Sequence, residues 1–226
     1  MTQRHHGQNP GRRRKILAAS AAGLALAAAV VGTVGLAQWF AQGWQGIPYP
    51  VADPAATARE LDGYTQSVYD ALALPGAELA DWPGAGLVAE GYNCNLRGMR
   101  NWSRNGFGNP TEDPGVVTVS DTWGLKGISH PQAQPALERV REELTRRGWE
   151  VTEYENTADR LALRLTLPGT GTGTGTGKTI SVRTYPGDRL QVAAHADCAR
   201  YPSGTSLNHH GEPSLPAPAA PAQLRE

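Results

Sequence analysis

Charge is scarce in this chain, and it cancels. Only 19% of residues are charged, and 21 Lys and Arg meet 21 Asp and Glu. A nucleic-acid binder shows a basic excess, so that class is set aside. Cysteine is scarcer, with Cys94 and Cys198 alone, and no C-x-x-C spacing supplies a redox pair. No G-x-S-x-G elbow is present to seat a nucleophilic serine. The histidine pairs His5-His6 and His209-His210 are too few for a metal site.

What charge there is lies unevenly. Arg4, Arg12, Arg13, Arg14 and Lys15 precede residue 16 with no acidic residue among them, which leaves a mildly acidic remainder. From 16 to 37 there follow 22 residues without a charge. As a helix rising ~1.5 Å per residue this run covers roughly 33 Å, enough for a hydrocarbon core of about 30 Å. The basic head keeps the N-terminus cytoplasmic by the positive-inside rule and exports everything beyond. Trp39, Phe40 and Trp44 follow at once, as aromatic anchors at the outer interface do. Two readings of the run stay open. An uncleaved anchor is favoured, because a cleavable signal carries a shorter apolar stretch, of about 7–15 residues. The small residues of Gly35-Leu36-Ala37 nevertheless suit a signal peptidase. Both readings export the body, so the bilayer, met through 16–37, is the first expected partner.

The body divides into a linker (38–52), an extracytoplasmic domain (53–200) and a tail (201–226). Asp53-Pro54 marks a helix start and Pro75-Gly76 its stop, with Leu61, Tyr64, Val68 and Leu72 on the buried stripe. A second helix spans Pro131 to Arg147, with Leu137, Val140 and Leu144 on one face. Strands are expected at 87–93, 116–125, 149–155, 161–167, 179–185 and 189–198, the last four as two hairpins. In the final strand Leu190, Val192, Ala194, Ala196 and Cys198 share one side. One-sided alternation of this kind means an antiparallel sheet with one covered face. The expected fold is therefore α+β: two helices packed on a four- or five-stranded, mainly antiparallel sheet. The tail holds little apolar periodicity and reads as disordered.

Outside the cytoplasm, two well-separated cysteines read as one disulfide, Cys94–Cys198. The tract ending Gly177-Lys178-Thr179 imitates a phosphate loop. Its two-residue period places Thr172 where the first glycine must stand, and a strand follows it instead of a helix. It is a spacer, and no nucleotide or other cofactor is expected. His130 beside Ser129, and His195 beside Asp197 on a strand face, are the only fragments of a hydrolytic set. The stretch 95–115 shows no periodicity. It gathers Arg97, Arg100 and Arg104 with Trp102 and Phe107, the residue types that exposed recognition surfaces favour. It is the expected binding site, for an anionic envelope polymer, lipid headgroups or a protein partner.

Tyr92-Asn93-Cys94, Asp121-Thr122-Trp123-Gly124, Arg147-Gly148-Trp149-Glu150-Val151 and Asp197-Cys198 together resemble small exported or membrane-anchored proteins of actinobacteria. The likeness spans about residues 53–200. It implies location and fold, and no activity. The functional expectation is a non-enzymatic extracytoplasmic binding module, tethered to the membrane. The alternatives are a small secreted hydrolase using His130 or His195, and a structural accessory of a membrane complex.

Overall fold

The computed structural model describes residues 39, 40, 42–105, 110–157, 160–167, 177–217, 220, 221 and 224. The apolar run 16–37 and Phe107 lie outside the described residues. Among the described residues no helix is long and apolar enough to cross a membrane. The described residues fall into two units, one holding those within 39–46 and 98–100, the other those within 47–97 and 101–224. In the first, residues 42–45 are helical, and Trp39, Phe40 and Trp44 are exposed. The second unit carries the fold described below.

Its helix α1 is Pro54–Leu72. The Asp53 carboxylate accepts from the Ala55 amide at 3.1 Å and satisfies one of the four free donors of the first turn. Ala58, Leu61, Thr65, Val68 and Leu72 recur every three or four residues and are buried. Ala73 ends the helix in the left-handed region at φ 46°. Helix α2, His130–Arg146, starts where the amide and hydroxyl of Ser129 both donate to Gln132 Oε1. It buries Ala133, Ala136, Leu137, Val140 and Leu144.

The sheet has seven strands where four or five were expected. They are β1 Glu78–Ala80, β2 Gly86–Glu90, β3 Val116–Lys126, β4 Glu150–Asn156, β5 Leu161–Thr166, β6 Lys178–Tyr185 and β7 Arg189–Arg200. Their order is β1-β3-β7-β6-β5-β4, with β2 also paired to β3, and all pairings are antiparallel. β1, for which no strand segment was expected, follows from the length of β3. Its 11 residues hold β2 along one half and β1 along the other. A three-residue strand between Pro75-Gly76 and Pro83-Gly84 has no alternation of its own to announce it.

The two helices cover one face, as expected: α1 on β3 and β7, α2 on β4, β5 and β6, each touching the other. Leu161, Leu163, Leu165, Ile180, Val182, Leu190, Val192 and Ala194 make the sheet's side of the core. Each large aliphatic side chain there contributes about 1.5–3 kcal/mol by leaving water. Val151 departs from its expected place beside Trp149. A bulge between Val151 and Glu153 leaves Val151 40% exposed while Trp149 stays buried.

Two segments outside 53–200 join the fold. Tyr49 is buried, and Val51 bridges Arg200 in parallel, extending the sheet at the end of β7. The tail, expected to be disordered, buries Pro213 and sets Leu215 against the main core, and Leu207 pairs with Pro213. Proline and isolated leucines bury apolar area without any periodic pattern, so this docking leaves little trace in sequence.

Candidate functional site

The uncovered face of the sheet has three regions. At one end Trp82, from the β1–β2 connection, lies on Gly124, edge-on to Tyr185 with ring centroids 4.8 Å apart. Across β4, β5 and β6, Glu153 meets Arg160, Arg164 and Arg183 at 3.6–3.8 Å in an ionic lattice. The third region, where β2, β3 and β7 meet the disulfide, is a groove of about 340 Å³.

A bulge builds it. Val117 pairs with Ala199 and Val119 with Ala196, so Asp197 and Cys198 together oppose the single residue Thr118. The alternation expected to carry Cys198 onto the main core breaks there. Cys198 instead joins a second small core of Tyr49, Cys94 and Val116. The expected disulfide is present, Cys94 to Cys198, with Cα atoms 5.6 Å apart. It brings Tyr92 and Asn93 against the end of β7. Tyr49, Glu90, Tyr92, Asn93, Arg97, Thr118, Ser120, His195, Asp197 and Cys198 line the resulting groove.

Hydrogen bonding fixes a proton on one ring nitrogen of His195. Thr118 Oγ1 donates its one proton to the Ala196 carbonyl at 2.6 Å. Its contact with His195 Nε2 at 3.1 Å must then be one in which the ring nitrogen donates. In the neutral ring Nδ1 is left as an acceptor. Desolvation by the groove wall lowers the imidazole pKa from its ordinary value, against the pull of Asp197 and Glu90, although the residue keeps an exposed edge; the neutral ring therefore dominates near pH 7. Asp197 accepts from the Gly177 amide through Oδ2 at 3.1 Å.

The residues singled out in 95–115 fare differently. The Arg97 guanidinium stacks 3.6 Å above the Tyr49 ring and donates to the Ile47 carbonyl at 3.2 Å. It lines the groove. Trp102 and Arg104 are exposed on a four-residue helix, Trp102–Asn105, and Arg100 belongs to the other unit. The stretch itself is less irregular than expected. Asn95 bridges Glu112, and Asn105 joins the Leu96 carbonyl to the Thr111 amide. Its asparagines therefore replace the ladder that the segment lacks.

His130 and His195 are also separated in role. His130 Nε2 donates to the Thr157 carbonyl at 2.9 Å, fastening α2 to the β4–β5 turn, and the neighbouring Ser129 hydroxyl serves the helix cap. His195 alone stands in the groove. Sequence reasoning missed Glu90, Thr118, Ser120 and Tyr49. The signal for Tyr92 and Asn93 was there, since a Cys94–Cys198 bridge must carry them to His195 and Asp197.

No family model, curated protein or solved structure matches the chain. The chemistry of its cavities is the guide to function. A second cavity, about 260 Å³, lies between the start of α1 and strands β3 and β7. Alanine, valine and proline dominate its wall, and Lys178 closes one side by pairing with Glu60 at 2.5 Å. Burial alone would raise Glu60, but hydrogen bonds from Lys178 and Tyr64 hold it below the ordinary carboxylate value. That pair fastens α1 to β6 and offers no reactive group. The groove is the better candidate.

Proposed function

We propose that this chain is a non-enzymatic binding module of the cell envelope, tethered by its N-terminal apolar run and taking its ligand in the groove beside Cys94–Cys198. One observation carries the reading. The groove gathers aromatic, hydroxyl, carboxylate and imidazole groups on the sheet face that the helices leave open, against a disulfide-stapled wall. Preformed sites of this kind orient a ligand with a few convergent polar groups. The exposed Trp39, Phe40 and Trp44, directly after 16–37, support the tether. The bridge supports an oxidising compartment. The resemblance to exported actinobacterial proteins belongs to the same reading.

The test fills the groove. Ser120 is half-buried in its lining, and Ser120→Trp places an indole there. Detergent-solubilised full chain and variant are each mixed with insoluble envelope polymer from the producing cells and sedimented. Retention of the parent and at least tenfold weaker retention of the variant, at equal melting temperature, is the expected result. Equal retention of both refutes the groove as the site.

His195 favours a second reading, hydrolysis, because its neutral ring keeps an acceptor nitrogen beside Asp197. A phenotype preserved in the His130→Ala/His195→Ala double variant eliminates it.

A further inference from the structure

The groove is lopsided in its charge, with two carboxylates to one guanidinium, while Asn93, Tyr92 and Ser120 add neutral donors. Its acceptors are strong and several: the carboxylates of Glu90 and Asp197, and Nδ1 of a neutral His195. An ionised carboxylate offers about four lone-pair sites and no proton, so the amide of Gly177 leaves Asp197 with acceptor capacity. Among the described residues the one cation in the lining is Arg97, already stacked on Tyr49 and bonded to the Ile47 carbonyl. Phosphate or carboxylate entering here meets two like charges and one engaged guanidinium. The electrostatics therefore run against the anionic polymer that the arginines of 95–115 suggested.

A ligand that complements acceptors brings donors. An ammonium group would satisfy the carboxylates, but Arg97 in the same wall opposes it. Hydroxyl groups satisfy them without a charge. Tyr92 adds an aromatic ring that is 68% exposed at the rim. Such a ring gives a flat apolar surface at small cost in conformational freedom. The hydroxyls of Thr118 and Ser120 lie between the two carboxylate-bearing strands. Thr118 stands opposite Glu90, and Ser120 opposite His195. An apolar platform beside an array of acceptors matches one ligand shape, a ring with a C–H face and a rim of O–H groups.

Resting on the reading of the groove as the binding site, we infer that its ligand is a neutral carbohydrate, seated on Tyr92 and donating hydroxyl hydrogen bonds to Glu90 and Asp197. Envelope glycans supply that chemistry as N-acetylated or as plain hexose units, and the probes distinguish them.

The full chain in detergent is immobilised and titrated with three soluble probes: hexa-N-acetylchitohexaose, maltohexaose and poly(glycerol phosphate). The same titrations are made on Tyr92→Ala and on Glu90→Gln/Asp197→Asn. Binding of a neutral hexasaccharide, weakened at least tenfold in both variants, with no binding of poly(glycerol phosphate), is the expected result. Whichever saccharide binds identifies the sugar type. Binding of poly(glycerol phosphate) alone overturns the carbohydrate inference. If Ser120→Trp then abolishes that binding, the groove itself stands. Saccharide binding unchanged in the two variants and in Ser120→Trp overturns both. No binding of any probe overturns the carbohydrate inference, and retention of Ser120→Trp on envelope polymer separately decides the groove.

Discussion

Asp121 is a carboxyl without water in the middle of β3, wholly buried where α1 crosses the sheet. Its Oδ2 accepts from Thr65 Oγ1 at 2.5 Å and from Trp123 Nε1 at 3.1 Å, whereas Oδ1 has no hydrogen-bond partner among the described residues. Thr65 Oγ1 is also 3.1 Å from the Asp62 carbonyl, but a hydroxyl has one proton to give and the shorter contact is to Asp121. Burial pushes the Asp121 pKa above the ordinary carboxylate value, against the hydrogen bonds from Thr65 and Trp123 and with the help of the Asp62 charge. Its register partners, Leu87 on β2 and Ala194 on β7, carry no charge.

An acid whose folded pKa is raised keeps its proton in the native state while the unfolded chain loses it. The stability it gives is complete below the unfolded pKa, near 3.9, and is lost as pH rises towards the folded value. Within that window the loss is about 1.4 kcal/mol per pH unit. Denaturant unfolding of the full chain and of Asp121→Asn, followed by tryptophan fluorescence between pH 4 and pH 8, isolates it. Every other titrating group is common to the two proteins and cancels in the difference. The parent is expected to lose stability relative to Asp121→Asn as pH rises through the window. A flat difference would mean an unshifted carboxyl, and one in which the parent gains with pH a carboxylate stabilised as the anion; either refutes the argument.

Two further outcomes rest on other contacts. Cys94 and Cys198 are 104 residues apart in sequence. Replacing both with serine is expected to cost about 4–5 kcal/mol of stability by loop-closure entropy. Equal unfolding midpoints with and without the bridge would remove its role as a staple. At Gly124 a Cβ would meet Trp82 side-chain atoms at 2.8–3.2 Å. Gly124→Ala is thus expected to destabilise by about 1–3 kcal/mol and to lift Trp82 off the sheet. An unchanged near-ultraviolet dichroism spectrum and melting temperature would show that the contact is loose.

The sequence by itself determined the elements whose signals are periodic or local. α1 and α2 are legible because apolar residues recur at helical spacing between a capping residue and a stop. β5 to β7 are legible because Leu and Val alternate along them. The Cys94–Cys198 bridge follows from counting. Tertiary structure alone decided what depends on contacts between distant segments. β1 exists because β3 is long enough to hold it, and the tail docks through scattered prolines and leucines. The groove exists because a bulge sets Asp197 and Cys198 against Thr118. No run of neighbouring residues announces a bulge, since it is a mismatch between two strands. The same mismatch turns Cys198 away from the main core, brings Tyr92 and Asn93 to His195, and gathers the polar groups into one face.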